Sequence, residues 1–289
     1  MPDAVLTAAP TPFGASGELD TGTTRALFRL AAGTTGGLFV AGTTGEFPAL
    51  DDAERLTLFE IALAEAGPAG VIAHVGAPDA RRAARLAAAA AALGATRLAA
   101  ITPYYLAPRP DEVTAYYLRI REAAPDAELY AYVFPERTSV TLGPSGLAAL
   151  AEAAGLAGAK LSGSAAANLA ACAAAAPGLR LYSGDDRDLA ATLRAGGAGV
   201  ISGRSAAFGE VFAALAAALA AGDATAAAPR QADVDAIAAT GASIGRIKEA
   251  LRLRGFQPMA ARMPVGEPDP GTAAEIAALV RTLVPLASV

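Results

Sequence analysis

The sequence contains very few of the residues that disulfides and most metal sites require. In 289 residues there is one cysteine, Cys172, and one histidine, His74. A single cysteine excludes an internal disulfide and suits a reducing compartment. One histidine and one cysteine also argue against a zinc site, and against a Ser-His-Asp triad unless His74 is its base. His74 lies between apolar residues in "VIAHVGAP", which favours a hydrogen-bonded core histidine, and we expect no metal.

Signals for membrane insertion, export and nucleic-acid binding are also missing. The stretch 161–179 carries no charge, but serine, glycine, asparagine and proline interrupt it and alanine dominates it, so no membrane span is predicted. The opening "MPDAVLTAAPTPFG" has no basic segment and no apolar core, so we expect no signal peptide and a cytoplasmic location. A formal charge of −5 without a basic block predicts no nucleic-acid partner.

The sequence does contain a regular alternation of short apolar runs and helix-like runs. Eight runs are typical of strands, at 4–13, 37–43, 71–77, 97–105, 128–135, 156–163, 179–186 and 198–205. Between them lie stretches such as 51–67, 79–94 and 109–124, which open with acids or a proline and repeat apolar residues at helical spacing. Most of the strands are apolar on both faces, as parallel strands covered by helices are. The pattern predicts an α/β fold, a (β/α)8 TIM barrel over residues 1–205.

The alternative fold is a doubly wound sheet, but no G-x-G-x-x-G motif follows the first strand. Beyond residue 205 the β signals stop, and the stretches 208–223, 227–255 and 269–288 predict three helices. No linker separates them from the barrel. We therefore expect residues 206–289 to form a C-terminal helical extension that packs on the barrel.

Active sites of such barrels lie where the strands end and the next loops begin. The most informative residue there is Lys160, because "GLAGAKLSGS" otherwise predicts a buried strand. Taken alone, a lysine near a strand end more often reaches solvent or pairs with a carboxylate. Burial, however, disfavours the charged form of an amine, and a neutral amine can attack a ketone to form a Schiff base.

Other strand ends supply the groups that Schiff-base chemistry needs. Tyr132, on the preceding predicted strand, offers a phenol as a proton relay. Thr43, Thr44 and Gly45 offer hydroxyls and backbone N–H groups to a carboxylate. Arg137 offers a two-pronged guanidinium to a second carboxylate.

These groups also have simpler interpretations. Thr44 can cap a helix whose first turn contains Glu46. Arg137 can pair with Glu136 or with Asp185, as surface arginines commonly do. The joint occurrence of these groups at the ends of successive strands favours catalysis over each interpretation taken singly.

In this order and spacing, the motifs resemble the dihydrodipicolinate synthase/N-acetylneuraminate lyase superfamily of pyruvate-dependent class I aldolases. The resemblance spans essentially the whole chain and rests on "GLFVAGTTGEFPAL", "TPYY", "YVFPERT", "GAKLSG", "YSGDD" and "GGAGVISG". It implies a lyase that forms an imine between Lys160 and a 2-oxo acid, with pyruvate expected. It implies no metal or organic cofactor, since the protonated imine is the electron sink, and a homotetramer built as a dimer of dimers.

The resemblance also implies roles for individual residues. Tyr132 would relay protons to and from the Lys160 adduct, and Thr43 and Thr44 would hold the pyruvate carboxylate. Thr43 would also link Tyr132 to Tyr105, the tyrosine that caps a neighbouring subunit's site. Arg137 would bind the carboxylate of the second substrate. Gly184 and Ile201 would line the pyruvate pocket with their backbone.

Three positions depart from the pattern of the synthases: Val133 replaces an asparagine, Leu161 an acid and Phe47 a serine. Arg137 favours a 4-hydroxy-tetrahydrodipicolinate synthase-type condensation of pyruvate with aspartate semialdehyde. Phe47 and Leu161 instead favour a 2-keto-3-deoxy sugar-acid aldolase or dehydratase, or a relative of N-acetylneuraminate lyase. A non-enzymatic hypothesis is a barrel that binds an oxo acid as a sensor. The retention of Lys160 together with its proposed partners argues against that hypothesis.

Overall fold

The computed structural model describes residues 4–284, in which eight parallel strands close into a barrel in sequence order. The strands are β1 (Val5–Ala8), β2 (Leu38–Val40), β3 (Val71–His74), β4 (Arg97–Ile101), β5 (Glu128–Val133), β6 (Leu156–Leu161), β7 (Arg180–Ser183) and β8 (Gly199–Ser202). The same residues contain twelve α-helices. These are α1 (Thr21–Thr34), α2 (Asp52–Ala66), α3 (Ala80–Ala92), α4 (Pro110–Ala123), α5 (Pro135–Thr138), α6 (Pro144–Ala154), α7 (Leu169–Ala175), α8 (Leu189–Arg194), α9 (Ser205–Ala220), α10 (Ala224–Ala239), α11 (Ile244–Leu253) and α12 (Pro270–Leu283). The predicted fold class, a (β/α)8 TIM barrel with C-terminal helices, is confirmed.

The strands are shorter than predicted, mostly at their C-terminal ends. The first predicted strand, 4–13, ends at Ala8, and Pro10 and Pro12 beyond it have no N–H to donate to a ladder. Strand β2 ends at Val40 because Ala41 takes a φ of 54°, which an extended chain does not allow. The residues that were predicted as strand ends lie in the loops after the strands, where barrel enzymes have their catalytic residues.

The C-terminal part of the described chain forms four helices, α9 to α12, where three were predicted. The stretch 227–255 is divided into α10 and α11 because Gly241 takes a φ of 85°, a conformation that favours glycine and ends a helix. Of the predicted helix 269–288, α12 covers Pro270–Leu283, and positions 285–288 lie outside the described residues. No helix between residues 4 and 284 has the length and apolar character needed to cross a bilayer.

The chain divides into two compact units, each with its own core. The first consists of the chain up to Gly70 and from Ser202 onward, with β1, β2, α1, α2 and α9–α12, and its core includes Leu27, Phe28, Leu58, Phe59, Phe212 and Leu215. The second is Val71–Ile201, with β3–β7, most of β8 and α3–α8, and its core includes Leu86, Leu98, Tyr117, Ile120, Leu147 and Leu181. The domain boundary expected at residue 205 stays a prediction.

The helix that follows the "GTTGE" stretch begins later than its simpler interpretation required. Asp51 caps α2 by accepting the N–H of Glu54 at 2.8 Å, and Glu54 accepts the N–H of Asp51 at 3.1 Å, a capping box. Glu46 instead takes a φ of 56° and precedes a single 3-10 turn, Phe47–Ala49. The interpretation of Thr44 and Glu46 as the start of a helix is therefore wrong, and Glu46 has a different role.

Candidate active site

Lys160 and Tyr132 are neighbours on adjacent strands of the second unit. Strands β5 and β6 pair so that Tyr132 lies opposite Lys160, and the Lys160 Nζ is 4.5 Å from the centroid of the Tyr132 ring. Lys160 is 7% exposed and Tyr132 is 1% exposed. The interpretation in which this lysine extends into solvent is wrong, because its side chain is held among the strands.

The strand that carries Lys160 is shaped by a glycine two positions earlier. A Cβ on Gly158 would lie 2.2 Å from the carbonyl oxygen of Arg180 and 2.8 Å from the Tyr130 ring. Only glycine lets β6 lie this close to β7 and leaves room for the tyrosine. On the β7 side, Tyr182 is completely buried and lies opposite Lys160 in register. The lysine therefore has a tyrosine opposite it on each neighbouring strand.

His74 supports the position of Tyr132. Its Nε2 accepts the N–H of Ile101 at 3.1 Å, and its ring lies edge-on to Tyr132 with the centroids 6.0 Å apart. The histidine is completely buried. The expectation of a hydrogen-bonded core histidine is confirmed. Within residues 4–284, no group of three or more His, Cys, Asp or Glu side chains gathers into a candidate metal site.

Gly184 and Ile201, predicted to line a pyruvate pocket, lie at or near the ends of β7 and β8. The N–H of Gly184 donates to the Leu161 carbonyl at 2.7 Å, which ties the end of β7 to the end of β6. A Cβ on Gly184 would lie 2.0 Å from the Oγ of Ser162. Ile201 is buried within β8. Their role in lining a pocket stays a prediction.

Arg137 is exposed in the short helix α5, immediately after β5. Its guanidinium carbon lies 5.5 Å from the centroid of the Phe134 ring, a cation–π arrangement. The two acids considered as its partners have other contacts. Glu136 accepts the backbone N–H of Ser164 at 2.8 Å, and Asp185 pairs with the arginine two positions later at 2.9 Å.

Tyr105 projects from the loop after β4. It is 94% exposed and takes a φ of 82°, a conformation rare for a residue with a side chain. The next residue, Leu106, is 75% exposed. Two consecutive large apolar residues are therefore exposed to solvent, and the first of them has a strained backbone conformation.

In the first unit, Thr43, Thr44 and Gly45 form a compact loop directly after β2. Both threonines are half-buried. The Oγ1 of Thr11 donates to the Gly45 carbonyl at 2.7 Å, and a Cβ on Gly203 would come within 3.0 Å of the Thr44 Oγ1. The Thr44 hydroxyl therefore lies beside a glycine backbone, an arrangement that suits a small carboxylate.

The departures from the synthase pattern have structural counterparts. Val133 and Leu161 lie opposite each other in the register of β5 and β6, and both are buried. Two apolar residues thus stand together where the pattern of the synthases has an amide and an acid. Phe47 is buried too, with the guanidinium carbon of the buried Arg55 5.6 Å above its ring.

One buried ion pair at this site was not predicted from the sequence. The Nζ of Lys248, in α11, lies 2.5 Å from Oε1 of Glu46, and both side chains are inaccessible to solvent. The two residues are 202 positions apart, so no local pattern connects them.

A family model and curated proteins match this chain over most of its length. The model of the dihydrodipicolinate synthetase family matches residues 1–283. An uncharacterized DapA-like lyase of Halobacterium salinarum is 35% identical over 260 residues, which cover 88% of this chain and 85% of that protein. The 4-hydroxy-tetrahydrodipicolinate synthase of Acaryochloris marina is 33% identical over 277 residues, which cover 92% of this chain and 93% of that protein.

Solved structures give the same result. A prophage protein of the dihydrodipicolinic acid synthase family from E. coli K12, in complex with pyruvate, has a TM-score of 0.88 at 27% identity, covering 97% of this chain and 98% of its own. CdNal from Clostridium difficile, in complex with mannosamine, shares the fold with a TM-score of 0.87 at 22% identity, covering 97% and 99%. This chain belongs to the dihydrodipicolinate synthetase family and is a lyase of that family.

Proposed function

We propose that this lyase works by a class I mechanism, in which Lys160 forms an imine with pyruvate. The amine attacks the keto carbon, and water leaves as the imine forms. Loss of a proton from the neighbouring methyl carbon gives an enamine, which attacks an aldehyde carbon. The reverse sequence cleaves an aldol. Water then hydrolyses the imine of the product, which releases the product and frees the amine. The protonated imine itself accepts the electron pair that a cofactor would otherwise take.

The burial of Lys160 beside Tyr132 is the observation that carries this proposal. Lys160 is buried, with 7% of the residue exposed, and its Nζ lies 4.5 Å from the centroid of a tyrosine ring, so a phenol-bearing neighbour is at hand for proton transfer. In the proposed site, Tyr132 relays the protons, while Thr43, Thr44 and the Gly45 N–H hold the pyruvate carboxylate. The pyruvate bound to the E. coli relative supports this choice of 2-oxo acid.

We propose aspartate semialdehyde as the aldehyde. Arg137 is exposed directly after β5, and its guanidinium suits the carboxylate of this acceptor. Curated relatives at 33% to 36% identity carry the synthase name, which supports the same choice. The alternative is cleavage of a 2-keto-3-deoxy sugar acid or of N-acetylneuraminate. The buried apolar pair Val133 and Leu161 favours it, since neither side chain can serve the polar role of the residues they replace.

Borohydride reduction tests the covalent step. With pyruvate present, the reduced adduct should appear by mass spectrometry on the peptide that contains Lys160. Lys160→Met keeps an unbranched side chain, one atom shorter and without the amine, and should give no adduct. If native protein gives no adduct at saturating pyruvate, the imine mechanism is refuted and the oxo-acid sensor becomes the better hypothesis.

A panel of substrates tests the acceptor. We expect turnover of pyruvate with aspartate semialdehyde, and a loss of about tenfold to hundredfold in kcat/KM in Arg137→Ala, the usual effect of losing a charged hydrogen bond. Unchanged turnover in that variant contradicts the role given to Arg137. Cleavage of 2-keto-3-deoxygluconate or N-acetylneuraminate, without turnover of aspartate semialdehyde, favours the alternative.

We also propose that the chain assembles as a homotetramer, a dimer of dimers, in which Tyr105 caps a neighbouring subunit's site. Its exposure, with that of Leu106, supports a contact with a second copy, because large apolar side chains seldom stand together in solvent. Sedimentation should show a tetramer for the native chain and smaller species for Tyr105→Ser/Leu106→Ser. A native monomer contradicts this assembly.

A further inference from the structure

The carboxylate of Glu46 is completely buried directly behind the Gly42–Gly45 loop. Its Oε1 accepts from the Lys248 Nζ at 2.5 Å. Its Oε2 accepts the backbone N–H groups of Arg262 and Met263 at 2.8 and 2.7 Å. Both oxygens are therefore occupied by donors from α11 and from the segment that follows it.

The ammonium group of Lys248 is buried as well, and Glu46 is its counter-charge. Its Nζ also donates to the Ala260 carbonyl at 2.6 Å and lies 4.8 Å from the centroid of the Phe13 ring. Burial lowers the pKa of the Lys248 ammonium, and its hydrogen bond to Glu46 opposes that effect. Loss of one partner leaves a buried charge without its counter-charge, the costliest way to break an ion pair.

The loop in front of this pair is held in an unusual conformation. Ala41 and Glu46, the residues on either side of it, both take a φ of about 55°, the left-handed region that residues other than glycine seldom adopt. Such positions persist only where the surroundings hold them, and they cluster at ligand sites. The N–H of Glu46 donates to the Thr43 carbonyl at 3.0 Å, so the anchored residue is tied directly to the first loop threonine.

We propose that Glu46 and Lys248 are positioning residues, which hold the loop of Thr43 and Thr44 in the form that binds the pyruvate carboxylate. The inference rests on the proposed function of that loop. Neither Glu46 nor Lys248 touches the substrate in this scheme. The pair acts through the backbone, by fixing Glu46 in its left-handed conformation and thereby the carbonyl and N–H directions of the two threonines.

A purely structural pair would affect folding alone, so the test must separate binding from stability. Glu46→Gln removes the charge at the same side-chain length, and Lys248→Met removes it with an unbranched side chain one atom shorter. The double variant leaves neither charge of the pair buried without its partner. The measured quantity is the pyruvate concentration at half-maximal borohydride labelling of Lys160, followed beside thermal unfolding. This readout needs no knowledge of the acceptor.

Each single variant should raise the half-saturating pyruvate concentration by about tenfold or more, as expected for a displaced binding loop, while saturating pyruvate still labels Lys160. In the double variant we expect stability to recover and the binding defect to remain, because the anchor is still missing. Lys248→Arg keeps a positive charge next to Glu46. This variant should therefore bind pyruvate better than Lys248→Met. Glu210→Gln is the matched control. It breaks the ion pair between Arg254 and Glu210, whose nitrogen and oxygen are 2.7 Å apart. This variant should change the stability and leave the half-saturating pyruvate concentration as it is.

Two failures are distinguishable. If native protein is not labelled, the proposed function fails, and this inference fails with it. If native protein is labelled and the double variant is half-saturated at the native pyruvate concentration, the positioning role is refuted while the imine mechanism stands. The double variant decides the question even where a single variant does not fold.

Discussion

Gly184 offers a steric test of the strand ends next to Lys160. A Cβ at this position would lie 2.0 Å from the Oγ of Ser162, 2.9 Å from its Cβ and 3.2 Å from its Cα, whereas ordinary contacts begin at 3.4 Å. The hydroxyl can rotate away, but the Cβ of Ser162 cannot. Gly184→Ala therefore forces the ends of β6 and β7 apart by about half an ångström.

The cost follows from that displacement. The N–H of Gly184 donates to the Leu161 carbonyl at 2.7 Å, and the movement lengthens this bond between the strand ends. Overpacking of this kind costs about 1–3 kcal/mol, so the free energy of unfolding should fall by about 2 kcal/mol. Because Gly184 belongs to the proposed pyruvate pocket, kcat/KM for pyruvate should fall about tenfold to hundredfold.

Two further variants identify the contact responsible. Ser162→Gly removes both the Oγ and the Cβ, so Ser162→Gly/Gly184→Ala should regain most of the lost stability. Gly143→Ala is the matched control, since Gly143 has an ordinary φ of −73° and no neighbour within 4 Å of its added Cβ. Urea unfolding followed by circular dichroism, and initial rates with varied pyruvate, measure both effects. A Gly184→Ala protein as stable and active as the native one would refute the steric argument, as would a double variant without any recovery.

Much of the barrel could be predicted because its signals are local. Alternating β and α runs in the sequence predict eight strands and their parallel arrangement, and the capping acids Asp51 and Asp79 mark where two helices begin. The C-terminal ends of the strands could not be placed. Apolar composition continues past them, and what stops β2 is the positive φ of Ala41, which depends on contacts of the folded loop.

Only part of the candidate site, too, could be predicted from the sequence. Lys160 and Tyr132 could be matched from sequence because each lies in a strand and adjacent parallel strands bring such residues together. Glu46 and Lys248 could not be matched, because an acid after a loop and a lysine in an amphipathic helix are both typical of solvated surface. The exact register of β5 and β6, which places Tyr132 opposite Lys160 and Val133 opposite Leu161, could not be anticipated either, since it includes a shift at Leu129/Tyr130.

Two further predictions concern stability. Arg121 donates to four backbone carbonyls, two of them where α6 leads into β6. Arg121→Ala should therefore lower the free energy of unfolding, measured in urea, by about 2–4 kcal/mol. The control Arg119→Ala changes an exposed side chain and should lower it by less than about 0.5 kcal/mol. Hydrogen bonds from Arg262, at 2.7 and 2.5 Å, lower the pKa of Glu54 below its ordinary 4.5, and burial opposes them. A depressed carboxyl pKa stabilises the fold above the ordinary value, and that contribution is lost as the pH falls through the folded-state value. The stability gap between native protein and Glu54→Gln should therefore be full near neutral pH and shrink below 4.5, while Glu60→Gln, an exposed change on the same helix, should follow the native curve. A gap that stays constant into acid would show that the Glu54 carboxylate gains nothing from this arginine.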